Sequence, residues 1–515
     1  MPDEAVARKP WTFVPLLYFM QAMPNAIATE VAVIVYKDLG VANVEITRWT
    51  SLIAIPWTIK MLWGPLVDLN FTKRRWVVWM QGLITAALAL TPLLLGLPNA
   101  FKITLGTLFV AAVFSATCDI ATDGFYLLAL NREMQSAYVG LQSTFYRLGR
   151  LFCIGLLVKA AGMLQERGFG TMPSWTIALL GGVGVYGLGW GLLALRKSPV
   201  ALPKPDADIE RSSADRSENK RNVYRTLVIL SFAFFGYFTL NSVVRLTAHG
   251  LWAVLGAQYP LNGWRLTGSQ VGQELLQLTV CLFGAATSYI YAKALTRGTE
   301  MGEAFGSFFR QRGIVAILAF MVFYRFGEAM VAKMAPLFLK DGVAQGGLAI
   351  NNSDLGTING LYGVIGIVIG GILGGLVVAR WGLRKTFWPV AFLMHLPNLL
   401  YLWASYAHPS TWAVRGVVFV DQFGYGFGFS AYMVYLQSVA QRGPFRTAHY
   451  AIATGLGYFA IQMAGITSGI VQGHYAALDP ARGYQYFFTF VVFATIPGML
   501  SLLFIPFDGA EKKAA

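Results

Sequence analysis

The stretch from Phe114 to Arg150, FSATCDIATDGFYLLALNREMQSAYVGLQSTFYRLGR, decides how the rest of the chain is read. Its first part is apolar enough to lie in a bilayer, yet it carries Asp119 and Asp123. Four residues apart on a helix, these carboxylates share one face, about 6 Å from each other along the axis. After the polar turn at 131–136 the chain becomes apolar again, and Arg147 and Arg150 stand inside that second run. A charge at bilayer depth costs roughly 2.5–3.5 kcal/mol on insertion scales, so such residues face a bundle interior or a water-filled path. Two readings meet here: a structural ion pair that staples two helices, and a gating or ion-coupling cluster of a transporter.

Composition fixes the class. The 515 residues are 56% hydrophobic and only 13% charged, with mean hydropathy +0.54, against about a quarter charged in soluble domains. This is the profile of a polytopic membrane protein. The net charge of +15 is spread over short loops between apolar runs, which is the positive-inside bias and calls for no nucleic-acid partner. Cys118, Cys153 and Cys281 fall singly in apolar stretches, so neither a disulfide framework nor a metal site is expected, and no cofactor. The first apolar run is too long for a signal-peptide core and reads as a retained helix.

About fourteen membrane spans follow in chain order, all α-helical. Six lie at 11–36, 48–67, 76–97, 103–130, 137–159 and 174–195; two at 223–255 and 273–295; six more at 314–339, 355–378, 387–403, 412–439, 448–471 and 486–505. The expected organisation is an N-terminal six-helix half (1–195), a polar linker (196–222), two inserted helices with their loop (223–312) and a C-terminal six-helix half (313–515). Lys and Arg gather in the loops of one side. The opposite loops hold few: Lys37, Lys102, Arg167, Arg265, Lys340 and Arg482. Both termini and the linker are therefore expected in the cytoplasm.

A repeat supports this plan. GPLVDLNFTKRR (64–75) closes the second span, and GLVVARWGLRK (375–385) closes the second span of the last six, an offset of about 311 residues. Two similarly oriented halves place a site between them near the midplane. Gly64, Asp68, Arg74 and Arg75, with Gly375, Arg380 and Arg384, read as a cytoplasmic latch in which a small residue lets helix ends approach and basic residues meet an acid or a helix C-terminus. Ala379 stands where the first copy has Asp68, so the second latch is expected to be weaker.

The run IPWTIKMLWGPLVD (55–68) resembles the second helix of the AmpG-type muropeptide permeases, in the peptide/acetyl-coenzyme A branch of the major facilitator superfamily. SATCDIATD (115–123) resembles that family's fourth helix, YRLG (146–149) its fifth, and YRFGEA (324–329) the start of its C-terminal half. The resemblance implies the superfamily fold and alternating-access transport of a polar or anionic solute across the inner membrane, commonly with protons as the coupling ion. YFMQ (18–21) and IPWTIK (55–60) are also similar to folate–biopterin transporters, and coenzyme A esters are a further alternative cargo.

The candidate substrate and proton-coupling residues are Lys60, Asp119, Asp123, Arg147, Arg325, Glu328 and Asp421, with Gln21 and Asn25 lining a cavity from the first helix. Lys60, about 12 Å inside its helix, pairs with Asp119 or Asp123, greets an anionic substrate, or snorkels to the interface. Arg325 and Glu328, three apart, share a face and form an intrahelical pair or part of the site. Asp421 stands alone at mid-depth, as a hydrogen-bonded structural carboxyl or a coupling group. Glu30, late in the first span, reads as a solvated acid near the outer interface or a substrate contact. Five scattered histidines and no nucleophile elbow argue against a membrane-embedded enzyme, and paired acids with basic partners in both halves argue against a passive channel. A small-molecule cargo, protons and the lipid bilayer are the expected partners of a monomer.

Overall fold

The computed structural model describes residues 10–60, 63, 67, 71–130, 132–195, 202, 266–298, 300–443 and 445–507, with parts of 224–250. The linker expected at 196–222 and the loop residues Gly64 and Asp68 lie outside the described residues, Leu202 excepted.

The described chain is built of helices joined by short turns. Eight of these helices are long and apolar enough to cross a membrane by length and composition. The expected spans at 11–36, 387–403, 412–439 and 448–471 are present as helices that are broken or polar rather than short, and those at 48–67 and 223–255 lie partly outside the described residues. Thr411–Gln441 and Arg446–Leu478 run for 31 and 33 residues, roughly 45–50 Å at 1.5 Å per residue, but carry Gln, Ser, Tyr and Gly along their length. Leu383–His395 and Pro397–Ala407 form one path interrupted at Pro397, whose ring suits the first turn of a helix.

Three paths contain a π-helical turn, at Ile27–Val31, Phe152–Leu157 and Ile358–Gly363. Such turns concentrate at functional sites because they re-aim side chains and carbonyls. All three lie in the middle of the molecule, and the second packs on both of the others.

Two helix crossings bring the first six helices against the last six. At one, the 152–166 path meets Asn352–Gly363 through glycines: a Cβ on Gly360 would sit 2.3 Å from Gly155 Cα, and one on Gly356 would sit 2.5 Å from Lys159 N. No side chain fits there, so the backbones touch. At the other, Asn43–Leu52 packs on Arg446–Leu478, where Thr47 Oγ1 and Ser51 Oγ fill the spaces over Gly469 and Gly465. Both crossings lie toward the end that carries Lys37 and Lys340, away from the basic loops at 73–75, 310–312 and 380–385.

The 223–312 segment holds more structure than its expected loop. Glu300–Phe309 is a helix seated on Arg446–Leu478, where Ser307 Oγ lies 2.9 Å from His449 Nε2. Phe308 is buried and Phe309 exposed, and this one-sided pattern is too short to read as a span. Gly268–Thr296 pairs with the helical parts of 224–250 through Ser242 Oγ, which donates to Glu274 Oε2 at 3.0 Å. Arg225 Nε also donates to Leu295 O at 2.8 Å. The outer flank, with Leu276, Phe283 and Ile290, is exposed, as suits a helix at a lipid boundary.

Candidate functional site

A cavity of about 620 Å³ opens between the two sets of helices. Its charged lining is Lys60, Arg150, Arg325 and Lys333 with Glu30, Asp119 and Glu328. Each carboxylate has a cation in contact. Lys60 Nζ stands 3.2 Å from Asp119 Oδ2. Arg150 closes on Glu30 with Nε 2.9 Å from Oε1 and Nη2 3.1 Å from Oε2. Arg325 Nη2 lies 3.3 Å from Glu328 Oε2.

These pairs are held by the local structure. The π turn at Ile27–Val31 sets Glu30 beside the Arg132–Leu151 helix that bears Arg150. Arg325 sits at the break between Ile314–Phe323 and Phe326–Lys340, where its guanidinium is caged by aromatic rings. Its carbon Cζ is 5.1 Å from the Tyr425 ring, 5.0 Å from Phe429 and 5.7 Å from Tyr432, and Nη2 donates to Tyr425 Oη at 3.2 Å. A planar, weakly hydrated cation suits such a cage better than an ammonium. Asp119 Oδ1, Gln21 Oε1 and Arg325 Nε are buried without hydrogen-bond partners among the described residues, an open capacity that a proton or solute can meet.

The remaining sequence candidates scatter. Asp123 shares the face of Asp119 but is exposed, accepting from Tyr18 Oη at 3.4 Å. Asn25 lines the cavity. Asp421 is buried beside the cavity and accepts from its neighbour Gln422 Nε2 at 2.9 Å. Arg147 is not drawn to the aspartates. Its guanidinium points at Gly371, 3.6 Å from where a Cβ on that residue would be, so the basic partner of Asp119 is Lys60, and the arginine paired on that helix is Arg150. Of the two readings open for Glu30, a solvated outer acid or a substrate contact, its place in the cavity lining favours the second.

In the loop motifs, Arg74 Nε donates to Leu202 O at 3.1 Å and Nη2 to Ala194 O at 3.3 Å, so it ties a helix C-terminus. Arg75 N caps on Thr72 Oγ1 at 3.1 Å. In the second copy Arg380 stacks over Trp381, Arg384 is exposed, and a Cβ on Gly375 would meet open space. Gly375 makes no close approach; Gly366, Gly370 and Gly374 take the backbone of Thr411–Gln441 in its place.

Sequence reasoning missed a lock at the other end. Lys37-Asp38 ends the first helix path and Lys340-Asp341 ends Phe326–Lys340, and the two dipeptides cross. Lys37 pairs with Asp341, and Lys340 Nζ stands 2.5 Å from Asp38 Oδ1. Each lysine also donates to an asparagine that serves the opposite aspartate. Lys37 reaches Asn43 Oδ1 at 2.8 Å, and Asn43 Nδ2 donates to Asp341 Oδ2 at 2.9 Å. Lys340 reaches Asn352 Oδ1 at 2.6 Å, and Asn352 Nδ2 donates to Asp38 Oδ2 at 2.6 Å. Trp175 Nε1 completes Asp38 at 2.7 Å, and Tyr484 Oη completes Asp341 at 2.5 Å. Every carboxylate oxygen of both aspartates is thus occupied, in a twofold-like arrangement. The one available signal was the recurrence of Lys-Asp after an apolar run, at 37 and at 340. In the cavity, sequence reasoning also passed over Lys333, on the helix that ends in the Lys340 of the lock.

A family model described as Major Facilitator Superfamily matches residues 15–469. The chain is 20% identical to the putative transporter AmpG 4 of Rickettsia felis over 95% of both chains. It is 24% identical to the anhydromuropeptide permease of Escherichia coli over 38% of this chain and 37% of that one. The chain spans less than half the length of several of the curated relatives it matches. A solved structure of a mutant of the peptide transporter POT in complex with sulfate shares the fold at TM-score 0.60 and 13% identity, over 96% of this chain and 94% of that one. With the family model matched across most of its length and the helices arranged as described, the chain belongs to the Major Facilitator Superfamily and is a multi-pass membrane transporter.

Proposed function

We propose that this transporter is a secondary active carrier of an anionic solute of the anhydro-sugar-peptide (muropeptide) type, driven by protons and working by alternating access. The observation that carries the reading is the cavity itself: three ion pairs inside a bundle of two helix sets, sealed at one end by the crossed Lys-Asp lock. Charges cost most where lipid would surround them, and a bundle keeps them when it moves a polar solute or ion. Tyr146, Tyr425, Phe429 and Tyr458 add aromatic walls, against which the apolar faces of sugar rings can pack. The similarity to the anhydromuropeptide permease and to the AmpG-named relatives points the same way.

The basic loops support a cytoplasmic placing of both termini and of the end away from the lock. The lock then faces outward, and the described state is closed to the outside. The membrane is the inner (plasma) membrane, and since one chain supplies the whole cavity lining, a monomer suffices. The two sets of helices correspond to residues 1–195 and 313–515, with 223–312 inserted beside them.

Lys60 and Asp119 form the coupling pair in this reading. A proton on Asp119 releases Lys60, and rocking of the helix sets alters which of the two forms is favoured. Asp123, Glu328 and Asp421 are further candidate coupling carboxylates in this reading. The test is uptake of a radiolabelled anhydro-muropeptide into proteoliposomes. Accumulation is expected when the outside is made acid and is lost with a protonophore. No accumulation, or flux indifferent to the proton gradient, overturns the reading.

A further inference from the structure

Lys333 is the cation that the cavity's own carboxylates leave over. Four cations and three carboxylates line the cavity, and each carboxylate is already in contact with a cation other than Lys333. Among the described residues no carboxylate oxygen lies within 4 Å of Lys333. Its stem runs past Gly465, whose missing side chain leaves the room; a Cβ there would be 3.5 Å from Lys333 Cγ. Its Nζ donates to a backbone carbonyl, Thr29 O, at 3.3 Å. That carbonyl belongs to the π turn at Ile27–Val31. Glu30, the next residue, is already held by the fork of Arg150 and makes no ion pair with Lys333.

An ammonium set into a membrane bundle without a counter-charge is costly. Where it persists, a partner absent from the empty site is the physical reason to keep it. A neutral carbonyl satisfies one of the three donors of an ammonium and leaves its charge uncompensated. The position suits a solute. Lys333 lies on the Phe326–Lys340 helix and reaches across to the first helix path, so it touches both helix sets. It is also five residues after Glu328 and seven before the Lys340 of the lock, on the element that bears all three.

We infer that Lys333 is the anchor for a single carboxylate on the cargo. This rests on the transport reading above and adds the rule that sets specificity. A cargo bearing one carboxylate at the anchored end balances the cavity charge, while its neutral ester or amide leaves the ammonium uncompensated. Contact with the cargo replaces the bond to Thr29 O, and so loosens a link between the helix sets at the moment the site is filled.

The test compares N-acetylglucosaminyl-anhydro-N-acetylmuramic acid, a disaccharide with one carboxylate, with its methyl ester. Wild-type proteoliposomes should take up the acid in preference to the ester by roughly tenfold or more, the usual scale for losing one partner of a desolvated charge pair. Lys333→Gln should abolish the preference by lowering acid uptake much more than ester uptake, and Lys333→Arg should restore most of it. If Lys333→Gln lowers both probes equally and Lys333→Arg does not rescue, the anchor is wrong while transport stands. If the wild type carries neither probe, the anhydro-sugar reading fails, and the anchor is judged by thermal shift with N-acetyl-dialanine and its amide, and with glucuronate and glucose. Stabilisation by the acids alone, absent in Lys333→Gln, upholds the anchor; equal response to acids and neutral partners overturns it.

Discussion

Lys340 reaches Asp38 at 2.5 Å across the line between the two helix sets, while Lys37 makes the reverse pair with Asp341. Crossed pairs of this kind can break only together, when the helix ends that carry them part. Their carboxylates are saturated by Asn43, Tyr484, Asn352 and Trp175, so the lock is fully satisfied only while it is closed. That makes it a two-state element whose balance a single substitution shifts.

Asp341→Asn should open this end. It removes the charge partner of Lys37 and weakens two hydrogen bonds, and removing one member of a buried pair costs about 3–5 kcal/mol at the upper end. The lysine here is partly exposed, so the loss should fall below that range. Cysteine placed at Ser51 in the cavity should react with a membrane-impermeant maleimide from the lock side far faster in the Asp341→Asn background. Exchanging the charges in Lys37→Asp with Asp341→Lys should return the rate toward the parent. Unchanged labelling in the single variant would remove the lock from the account.

The glycine crossing makes a sharper prediction because its control lies on a helix of the same path. Gly360→Ala drives a Cβ into Gly155 and should destabilise the closed state, with overpacking costing about 1–3 kcal/mol. Gly375→Ala, over open space, should be neutral or slightly stabilising, because alanine is the better helix former by about 1 kcal/mol. Thermal unfolding in detergent, with the same maleimide assay, separates the two.

Arg150→Lys should damage transport although the charge is kept. The guanidinium meets Glu30 through two nitrogens, and an ammonium cannot reproduce that fork. We expect a fall in uptake of about tenfold or more from the lost bidentate contact, with expression unchanged. Arg150→Met, which leaves Glu30 unpaired, should also lower thermal stability. An Arg150→Lys variant that transports like the parent, beside a defective Arg150→Met, would mean that only the charge of Arg150 matters.

The order of helices was legible because apolar runs and Lys/Arg asymmetry are properties of the bilayer, which acts on every segment alike. Lys60, Asp119, Arg325 and Glu328 stood out for the same reason, as charges where charges are expensive. The lock was not legible. Lys37, Asp38, Lys340 and Asp341 sit at helix ends, where charges are cheap, and nothing local distinguishes a solvated Lys-Asp from one that crosses to a partner about 300 residues away. Arg147 and Arg150 looked alike, three apart on one helix; which of them pairs depends on the rotation of that helix against the first path, a tertiary fact. The π turns that aim Glu30 and Asn359 into the cavity have no sequence signature of their own.

The central claim is that Lys60 and Asp119, 3.2 Å apart in the cavity wall, couple proton movement to cargo movement. Asp119→Asn keeps the shape and removes the titration. Proteoliposomes holding this variant should be assayed twice with the same anhydro-muropeptide, once for uptake under an imposed pH gradient and once for counterflow with no gradient. The account predicts that gradient-driven accumulation disappears while counterflow is at least partly retained. Equal losses in both assays, accompanied by a lower unfolding temperature, would contradict it and leave Lys60–Asp119 as a structural ion pair.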